Sequence, residues 1–345
     1  MKYNIAQLAP LWIPVPPRTY GGIELMLSVL VEELVRREYE VSLFASGDSV
    51  TKAHLEIMSE KGLWLRRNVR SPHAVIMRML KAVYDRREEF DLIHNHAEFF
   101  MYPLLLGGSS VPILTTMHRP MDDEAAKAAL AYPEMNFCAI SDDHRARMEA
   151  KGVKTVGVVY NGIDTKKYEM GEKPEDYFLY IGRLNEEKGV VDAVKAAQKA
   201  GVKLIVAGNI IAGAEWQYFF NDVQPLLNQE NIKFVGEVDF GEKVRLMKNA
   251  KGMLFPIDRD EPFGLVMVEG MACGTPVIAY RRGSVPEVVD DGKTGFIIEG
   301  LDEMVEAMGK ISLLKRADCR KRVEENFTLE MMVNEYEKIY KKLIS

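Results

Sequence analysis

Two glutamates eight residues apart bracket the most informative run of the chain. Glu261 comes directly before a Pro-Phe-Gly turn, and Glu269 lies in the apolar segment that follows, which ends at Gly274. Proline and glycine at these places predict a short helix over residues 264–273 and then a buried strand over residues 275–280. A carboxylate inside such an apolar helix is costly unless something binds it, so the pattern indicates a polar ligand.

The spacing of the two carboxylates suggests the size of that ligand. Eight residues of helix span about 12 Å, roughly the distance from a ribose to a sugar across a diphosphate. Backbone amides at the start of the helix can face the negative charge of the diphosphate. The alternative is an amphipathic helix with two solvated carboxylates, which we favour less.

Two basic residues follow a predicted strand in the second half of the chain. Arg183 comes directly after the strand over residues 177–182, and Lys188 comes five residues later. Ligands of open α/β sheets bind at the carboxyl ends of strands. Two cations there suit a diphosphate, because a diphosphate leaving group gains negative charge as its glycosidic bond breaks. Taken alone, the pair is equally consistent with a loop whose charges are solvated.

Both runs resemble those of the family 4 glycosyltransferases, which are retaining enzymes of the GT-B fold. The resemblance includes the Pro-Phe-Gly after Glu261, the Gly-Thr-Pro-Val-Ile after the helix, and residues 182–189, and it extends over the whole chain. It implies that Glu261 contacts the transferred sugar and that Glu269 holds the ribose hydroxyls. It also implies that Arg183 and Lys188 clamp the diphosphate of the donor.

The resemblance supplies further candidate residues. It implies a glycine loop before the first helix and a histidine, His118, beside the transferred sugar. Arg119 departs from the small or acidic residue that many members carry at its place. The implied donor-binding residues are Gly21, Gly22, Arg183, Lys188, Val238, Glu261, Phe263, Gly264, Leu265 and Glu269. The implied acceptor-side residues are Tyr20, Glu24, His118 and Arg119, and the implied catalytic residues are His118, Glu261, Arg183 and Lys188.

Two motifs invite a metal interpretation that we do not adopt. Asp258 and Asp260 form the Asp-x-Asp that GT-A transferases use for a divalent cation, but here the Arg-Lys pair does the work of the cation. His94 and His96 could share one face of a strand end, yet the family has a similar motif without a metal. The chain has no Gly-x-Gly-x-x-Gly run, which argues against a nicotinamide cofactor. We expect no obligatory metal or cofactor, and a nucleotide-sugar as co-substrate.

Short apolar runs alternate with helical patterns in both halves, which is typical of doubly wound parallel sheets. We therefore expect an α/β chain of the GT-B type, with two Rossmann-like domains facing a cleft. Residues 1–164 form the acceptor-side domain, residues 165–328 the nucleotide-sugar-binding domain, and residues 329–345 a helix that crosses back to the first domain. The polar stretch 165–176 is interpreted as the linker, and Ser141 as a helix N-cap. The predicted strands cover residues 4–8, 41–45, 92–94, 113–116, 137–140 and 156–160, then 177–182, 203–207, 233–235, 253–255, 277–279 and 296–298.

Composition narrows the class of protein. The 345 residues suffice for two domains, and an apolar content of 47% with 28% charged residues is typical of soluble globular proteins. A net charge of −6 argues against a nucleic-acid partner. Three widely spaced cysteines and no apolar run of transmembrane length favour the cytoplasm. The basic stretch between Trp64 and Arg87, which includes Arg67, could touch a membrane, but a solvated helix face is favoured.

The sequence thus predicts a retaining glycosyltransferase that moves a hexose from a nucleotide-sugar to a hydroxyl acceptor. The resemblance implies a metal-independent front-face mechanism in which the leaving phosphate helps to deprotonate the acceptor. UDP-glucose is the favoured donor, followed by GDP-mannose and ADP-glucose. The alternatives are a sugar-nucleotide epimerase of the same fold and a non-enzymatic sugar-binding protein. A phosphorylase would need a pyridoxal-binding lysine and a much longer chain.

Overall fold

The computed structural model describes residues 3–66, 68–107, 111–211, 213–227 and 230–345. The chain forms two compact units. Unit 1 comprises residues 1–162 and 329–345, and unit 2 comprises residues 163–328. Each unit is built on a parallel sheet with flanking helices, so the predicted α/β class with two Rossmann-like sheets is confirmed.

In unit 1 the strands are β1 (Asn4–Leu8), β2 (Glu40–Ser46), β3 (His54–Ser59), β4 (Leu92–Asn95), β5 (Ile113–Thr116), β6 (Asn136–Ala139) and β7 (Thr155–Val158). Its first helices are α1 (Gly22–Arg36), α2 (Pro72–Arg86), α3 (Asp123–Leu130) and α4 (Asp142–Ala150). The sheet order is β3-β2-β1-β4-β5-β6-β7. The central strands are buried on both faces, which explains their near-continuous apolar sequences. The Ser141 side chain accepts a hydrogen bond from the amide of His144, so the predicted N-cap of α4 is confirmed.

In unit 2 the strands are β8 (Phe178–Ile181), β9 (Leu204–Ala207), β10 (Ile232–Gly236), β11 (Gly252–Phe255), β12 (Val277–Tyr280) and β13 (Gly295–Ile298). Its helices are α5 (Val190–Ala200), α6 (Gly213–Tyr218), α7 (Gln224–Leu227), α8 (Phe240–Asn249), α9 (Leu265–Ala272), α10 (Val285–Val288), α11 (Leu301–Lys310) and α12 (Arg316–Asn326). The sheet order is β10-β9-β8-β11-β12-β13.

The last helix, α13 (Leu329–Ile344), belongs to unit 1 although it follows unit 2 in sequence. Its buried face carries the adjacent Met332 and Val333, then Tyr336 and Tyr340 at successive intervals of three or four residues, and it joins the core formed by α1 and β1. The helical spacing of its apolar residues therefore gives α13 a face that packs against unit 1, to which the chain returns after the whole of unit 2.

In both sheets the strand order reverses at one place, between β1 and β4 in unit 1 and between β8 and β11 in unit 2. Loops that leave the carboxyl ends of the two strands diverge at such a point and open a crevice for ligands. The loops after β1 and β4 carry Gly21 and His96, and the loops after β8 and β11 carry Arg183 and Glu261. The topology thus sets two groups of candidate residues at two switch points.

The structure corrects the interpretation of residues 165–176 as a linker. The segment is part of unit 2, begins with a short 3-10 helix over Thr165–Lys167, and buries the side chain of Tyr168. The strand β3 was not predicted. Arg67 of the basic stretch lies outside the described residues. Within the described parts of the chain, no helix is long and apolar enough to cross a membrane.

Candidate functional site

The loop after β8 holds both predicted basic residues in place through its backbone. The Tyr180 hydroxyl lies 2.9 Å from the carbonyl oxygen of Arg183 and 3.2 Å from that of Lys188, and it can donate to either. The Asn185 side chain caps the turn by accepting a hydrogen bond from the Lys188 amide over 3.2 Å. Gly189 ends the turn with φ of 68°, where a Cβ would collide with the carbonyl oxygen of Pro256.

The side chains of Lys188 and Glu261 form a short, mostly buried ion pair. Lys188 Nζ lies 2.6 Å from Glu261 Oε2, and the two side chains are only 16% and 13% exposed. Arg183 pairs with the buried carboxylate of Glu215, whose other oxygen accepts a hydrogen bond from the amide of Ile211 over 2.7 Å. Charge-assisted bonds of this kind are strong and geometrically specific. The structure therefore brings Lys188 and Glu261 together and anchors Arg183 on a carboxylate of its own.

The loop after β12 fixes the position of Glu261. Gly283, at φ of 52°, packs so closely on the Glu261 backbone that a Cβ there would collide with it. The Ser284 amide donates to the Glu261 carbonyl oxygen over 2.9 Å. Gly264, at φ of 77°, forms the N-cap of α9 and contributes no side-chain cap. The backbone at the start of α9 therefore lies three residues after the carboxylate of Glu261.

Glu269 lies within α9, and two side chains hold its buried carboxylate. The Tyr168 hydroxyl donates to Glu269 Oε1 over 2.7 Å, and Lys243 Nζ on α8 lies 2.5 Å from the same oxygen. Burial, followed by the charge of Glu269, raises the pKa of Tyr168 well above its usual value, so the hydroxyl keeps its hydrogen. The sequence argument that Glu269 needs a polar partner is met inside the protein, because a buried charge is tolerated when it is paired.

The other predicted donor-side residues of unit 2 differ in their exposure. Val238, after β10, and Leu265, in the first turn of α9, are half-buried. The Phe263 side chain is buried and packs edge-to-face on Phe327, with ring centroids 5.7 Å apart. Its ring is therefore a core group that holds the loop before α9.

In unit 1, His118 follows β5 and is hydrogen-bonded to His96, with 2.9 Å between His118 Nε2 and His96 Nδ1. His96 Nε2 lies 3.0 Å from the side-chain oxygen of Gln7, which can only accept, so His96 carries its hydrogen on Nε2. Burial lowers the pKa of His118 to about 3 and that of His96 well below its usual range, so both rings are neutral. His118 therefore donates from Nε2 and presents the lone pair of Nδ1.

The Gln7 amide continues this chain of hydrogen bonds to α13. Gln7 Nε2 donates to the Tyr340 hydroxyl over 3.2 Å, and that hydroxyl lies 2.7 Å from His94 Nδ1. His94 Nε2 lies 2.8 Å from Thr116 Oγ1, which is 3.1 Å from the Tyr336 hydroxyl. The histidines considered as a metal pair thus use their ring nitrogens inside unit 1. Among the described residues, no three His, Cys, Asp or Glu side chains are placed to hold a metal ion.

Arg119 contacts the buried carboxyl group of Glu98. Arg119 Nε lies 3.2 Å from Glu98 Oε1, and the charge of Arg119 also acts on Glu24. Burial nevertheless raises the pKa of Glu24 to about 7. Of the predicted acceptor-side residues, Arg119 thus contacts a buried carboxyl group that was not predicted.

The glycine loop before α1 has one residue that must be glycine and one that need not be. Gly21 has φ of 150°, and a Cβ there would meet the side chains of Ile13, Pro17 and Glu24. Gly22 has open space around its Cβ position. Tyr20 is exposed to solvent.

Several residues with a clear structural part in this site were not predicted. Gln7 had a readable signal, because a polar side chain in an otherwise apolar buried strand must find a hydrogen-bond partner. Tyr180 and Lys243 had none, since their partners are distant in sequence or are backbone atoms. Glu98 had no such signal either, because nothing in the sequence indicates that its backbone adopts a φ of 55°.

Comparison with known proteins identifies relatives of both units. The family described as Glycosyltransferase Family 4 matches residues 20–167, and the family described as Glycosyl transferases group 1 matches residues 163–328. The chain is 25% identical over 365 residues to an N-acetyl-alpha-D-glucosaminyl L-malate synthase of Bacillus anthracis, with 93% of each chain covered.

Two solved structures resemble the whole chain. A sucrose-phosphate synthase from Thermosynechococcus elongatus has a TM-score of 0.83 at 20% identity, with 99% of both chains covered. HepE from Anabaena, solved with UDP and glucose, has a TM-score of 0.76 at 18% identity, with 98% of this chain and 99% of the other covered. At these identities the likeness shows the fold, and the predicted GT-B fold is confirmed.

Proposed function

Because the chain belongs to glycosyltransferase family 4 and is a transferase of the GT-B type that uses a nucleotide-sugar, we propose that it is a retaining hexosyltransferase. UDP-glucose is our first choice of donor, since HepE was solved with UDP and glucose. GDP-mannose and ADP-glucose come next. The hexose is transferred to a hydroxyl acceptor without an obligatory metal ion.

The observation that carries this proposal is the contact between Lys188 and Glu261 beside the start of α9. A diphosphate at the carboxyl ends of β8 and β11 would meet the cations of Lys188 and Arg183 and the amide dipoles of the helix. Its negative charge would compete with Glu261 and Glu215 for the two cations, which are already held in place. Preorganised cations stabilise the leaving group as the glycosidic bond breaks.

The remaining donor contacts follow from the same placement. Glu261 holds hydroxyls of the transferred sugar, together with the amides of Gly264 and Leu265. Glu269 holds the ribose, and the backbone at Val238 lies against the base. Glu261 is not assigned as a nucleophile, because we place its carboxylate at the sugar hydroxyls and not under the anomeric carbon.

On the acceptor side, the lone pair of His118 Nδ1 accepts a hydrogen bond from a substrate hydroxyl. A ring with a pKa of about 3 is too weak a base to remove that proton at neutral pH. The departing diphosphate takes it instead, which agrees with front-face attack and retention of configuration. Tyr20, Glu24 and Arg119 belong to the same acceptor side, whereas Gly21 and Gly22 contact the donor.

A nucleotide-release assay tests the proposal. The protein is incubated with UDP-glucose, GDP-mannose or ADP-glucose and a panel of hydroxyl compounds, with and without a chelator. We expect release of one nucleotide, undiminished by the chelator, and an α-linked product by NMR. Release that requires manganese would contradict the metal-free mechanism, and a β-linked product would contradict retention. If no nucleotide is released and none binds, the donor assignment is wrong.

A further inference from the structure

Unit 1 contains an open cavity of about 140 Å³ beside the His96–His118 contact. Its walls are mostly apolar, with Trp12 from the loop after β1, Ile76 and Met79 from α2, and Phe100 from the segment after β4. An engineered apolar cavity of roughly 150 Å³ is large enough to bind benzene. The cavity therefore has the size and chemistry to hold one ring-sized apolar group.

One corner of this cavity is polar, and Glu98 dominates it. Glu98 is 9% exposed, lines the cavity, and has a backbone φ of 55°, which residues other than glycine rarely adopt. Arg119 Nε lies 3.2 Å from Glu98 Oε1, but the two are not aligned as a hydrogen bond, and this oxygen accepts none from any described residue. A buried acceptor without a donor is rare in native proteins. Such an atom marks a place where a ligand can donate.

His96 also lines the cavity, but it cannot supply that donor. Its two ring nitrogens are already used by Gln7 and His118. Arg119 is largely exposed, so its guanidinium stays hydrated while the carboxylate beside it is buried. Burial raises the pKa of Glu98, and Arg119 opposes this rise. A ligand hydroxyl could donate to Glu98 Oε1 with the alignment that Arg119 Nε lacks.

We propose that this cavity binds the acceptor and that the acceptor is a hydroxyl compound carrying a ring-sized apolar group. The hydroxyl donates to Glu98, and the ring packs against Trp12, Ile76, Met79 and Phe100. This inference rests on the proposed function, because it names the acceptor class of that transferase. Glu98 is a substrate-binding residue outside the set predicted from the sequence.

The test compares the binding of three glucosides to the full chain by calorimetry and ligand-observed NMR. They are phenyl, n-hexyl and methyl β-D-glucopyranoside, which share the sugar and differ only in the apolar group. We expect the phenyl glucoside to bind about 10- to 100-fold more tightly than the methyl glucoside, the scale for burying several apolar carbons. The hexyl compound should bind less tightly than the phenyl compound, because a flexible chain loses more rotational freedom.

Variants on one helix provide a matched pair. Ile76→Phe fills the cavity, whereas Met77→Phe adds the same ring at the neighbouring, exposed position. Ile76→Phe should reduce the affinity for the phenyl glucoside at least about tenfold, and Met77→Phe should leave it unchanged. Thermal unfolding checks that both variants fold. If Ile76→Phe does not fold, Trp12→Ala is used instead, because Trp12 is a half-buried residue of the cavity wall and its removal should also reduce the affinity for the phenyl glucoside.

Glu98→Gln separates the polar corner from the apolar walls. It should weaken all three glucosides by a similar factor of about 10, since a charge-assisted hydrogen bond is lost whatever the apolar group. Equal affinity for the phenyl and methyl compounds, no binding of the phenyl compound, or tighter binding of the hexyl compound would each overturn the inference. Nucleotide release by the same protein is measured in parallel, so a failure of the proposed function is recognised separately.

Discussion

His96 Nδ1 and His118 Nε2 lie 2.9 Å apart, and this contact fixes which nitrogen of His118 can accept a hydrogen bond. The direction of the bond is set from the far side of His96, where Gln7 offers an oxygen. An amide side chain in β1 thereby determines the tautomer of a histidine after β5. Burial lowers the pKa of both histidines, so both rings are neutral and each carries a single hydrogen whose position the hydrogen bonds determine.

The first prediction concerns that tautomer. In the parent protein, 15N NMR of labelled histidines should show a protonated Nε2 and a bare Nδ1 for His118. Gln7→Met removes the oxygen that orients His96, so both tautomers of His118 should become populated and its two 15N shifts should move together. Gln217→Met, at an exposed position, is the control. A protonated Nδ1 in the parent would contradict the direction of the hydrogen bonds.

The second prediction concerns the end of the chain of hydrogen bonds on α13. Tyr340→Phe leaves Gln7 Nε2 and His94 Nδ1 buried without their partner. Urea unfolding should show that the free energy of unfolding falls by about 1–3 kcal/mol, which is the cost of an unsatisfied buried polar group. Tyr132→Phe removes a half-buried hydroxyl that is not seen to bond to any described residue, and should change the stability little. Equal stability of the Tyr340→Phe variant and the parent would show that water replaces the hydroxyl.

The third prediction is a pH dependence caused by Glu24. Burial raises its pKa from 4.5 to about 7 in the folded state, so the folded protein binds more protons than the unfolded chain between these values. The contribution of Glu24 to stability is therefore full below pH 4.5 and is lost as the pH rises through 7. Relative to Glu24→Gln, the parent should lose up to about 1.4 kcal/mol of unfolding free energy per pH unit in this interval. Denaturant titrations between pH 4.5 and 8 measure this, with Glu60→Gln as the exposed control. A pH-independent difference between the parent and Glu24→Gln would contradict the raised pKa.

The fourth prediction concerns Arg183 and Lys188. Their charge should matter most when the diphosphate departs, so Ala at either position should lower the single-turnover rate by about 10²–10³. Donor affinity should fall less. Arg183→Lys should restore the rate only in part, because an ammonium cannot reproduce the planar fork of a guanidinium. Lys195→Ala removes an exposed lysine of α5 and is the control. Variants that bind and turn over like the parent would remove the clamp from the mechanism.

The fifth prediction separates the proposed ribose contact of Glu269 from its internal ion pair. Glu269→Ala should weaken UDP binding by about 1.5–3 kcal/mol in calorimetry, the range for a charge-assisted hydrogen bond. Lys243→Met removes the internal partner but keeps the carboxylate, so it should retain most of the UDP affinity and lose stability instead. Unchanged UDP affinity after Glu269→Ala would refute the ribose role.

The sequence predicted most elements because their signals are local. The face of α13 repeats at helical spacing, and its predicted start at residue 329 is the observed one. β3 was not predicted because it is an edge strand with only one of its six residues buried, so it lacks the continuous apolar run of a central strand. Residues 165–176 were wrongly interpreted as a linker because the segment is mostly polar, and the one aromatic residue that packs it into unit 2, Tyr168, gives little local signal.

Contacts between residues far apart in the sequence could not be predicted from local sequence patterns. His94 and Tyr340 are 246 positions apart, and Lys243 reaches Glu269 from a different helix. The need for a partner could be predicted at Glu269, because burial of a carboxylate demands one. The identity of that partner depends on which helices pack together, and only the fold supplies this.

Unit 2 begins and ends at neighbouring points of its own structure. The Ile163 amide donates to the Phe327 carbonyl oxygen over 3.0 Å, and Ile163 forms a β-bridge with Thr328. In topological terms, unit 2 is an insertion between Gly162 and Leu329, and unit 1 is a discontinuous domain. Adjacent ends are what allow an inserted domain to be excised or transplanted. Residues 163–328 thus form a self-contained fragment, whereas residues 1–162 without α13 would lack the two tyrosines that complete their polar core.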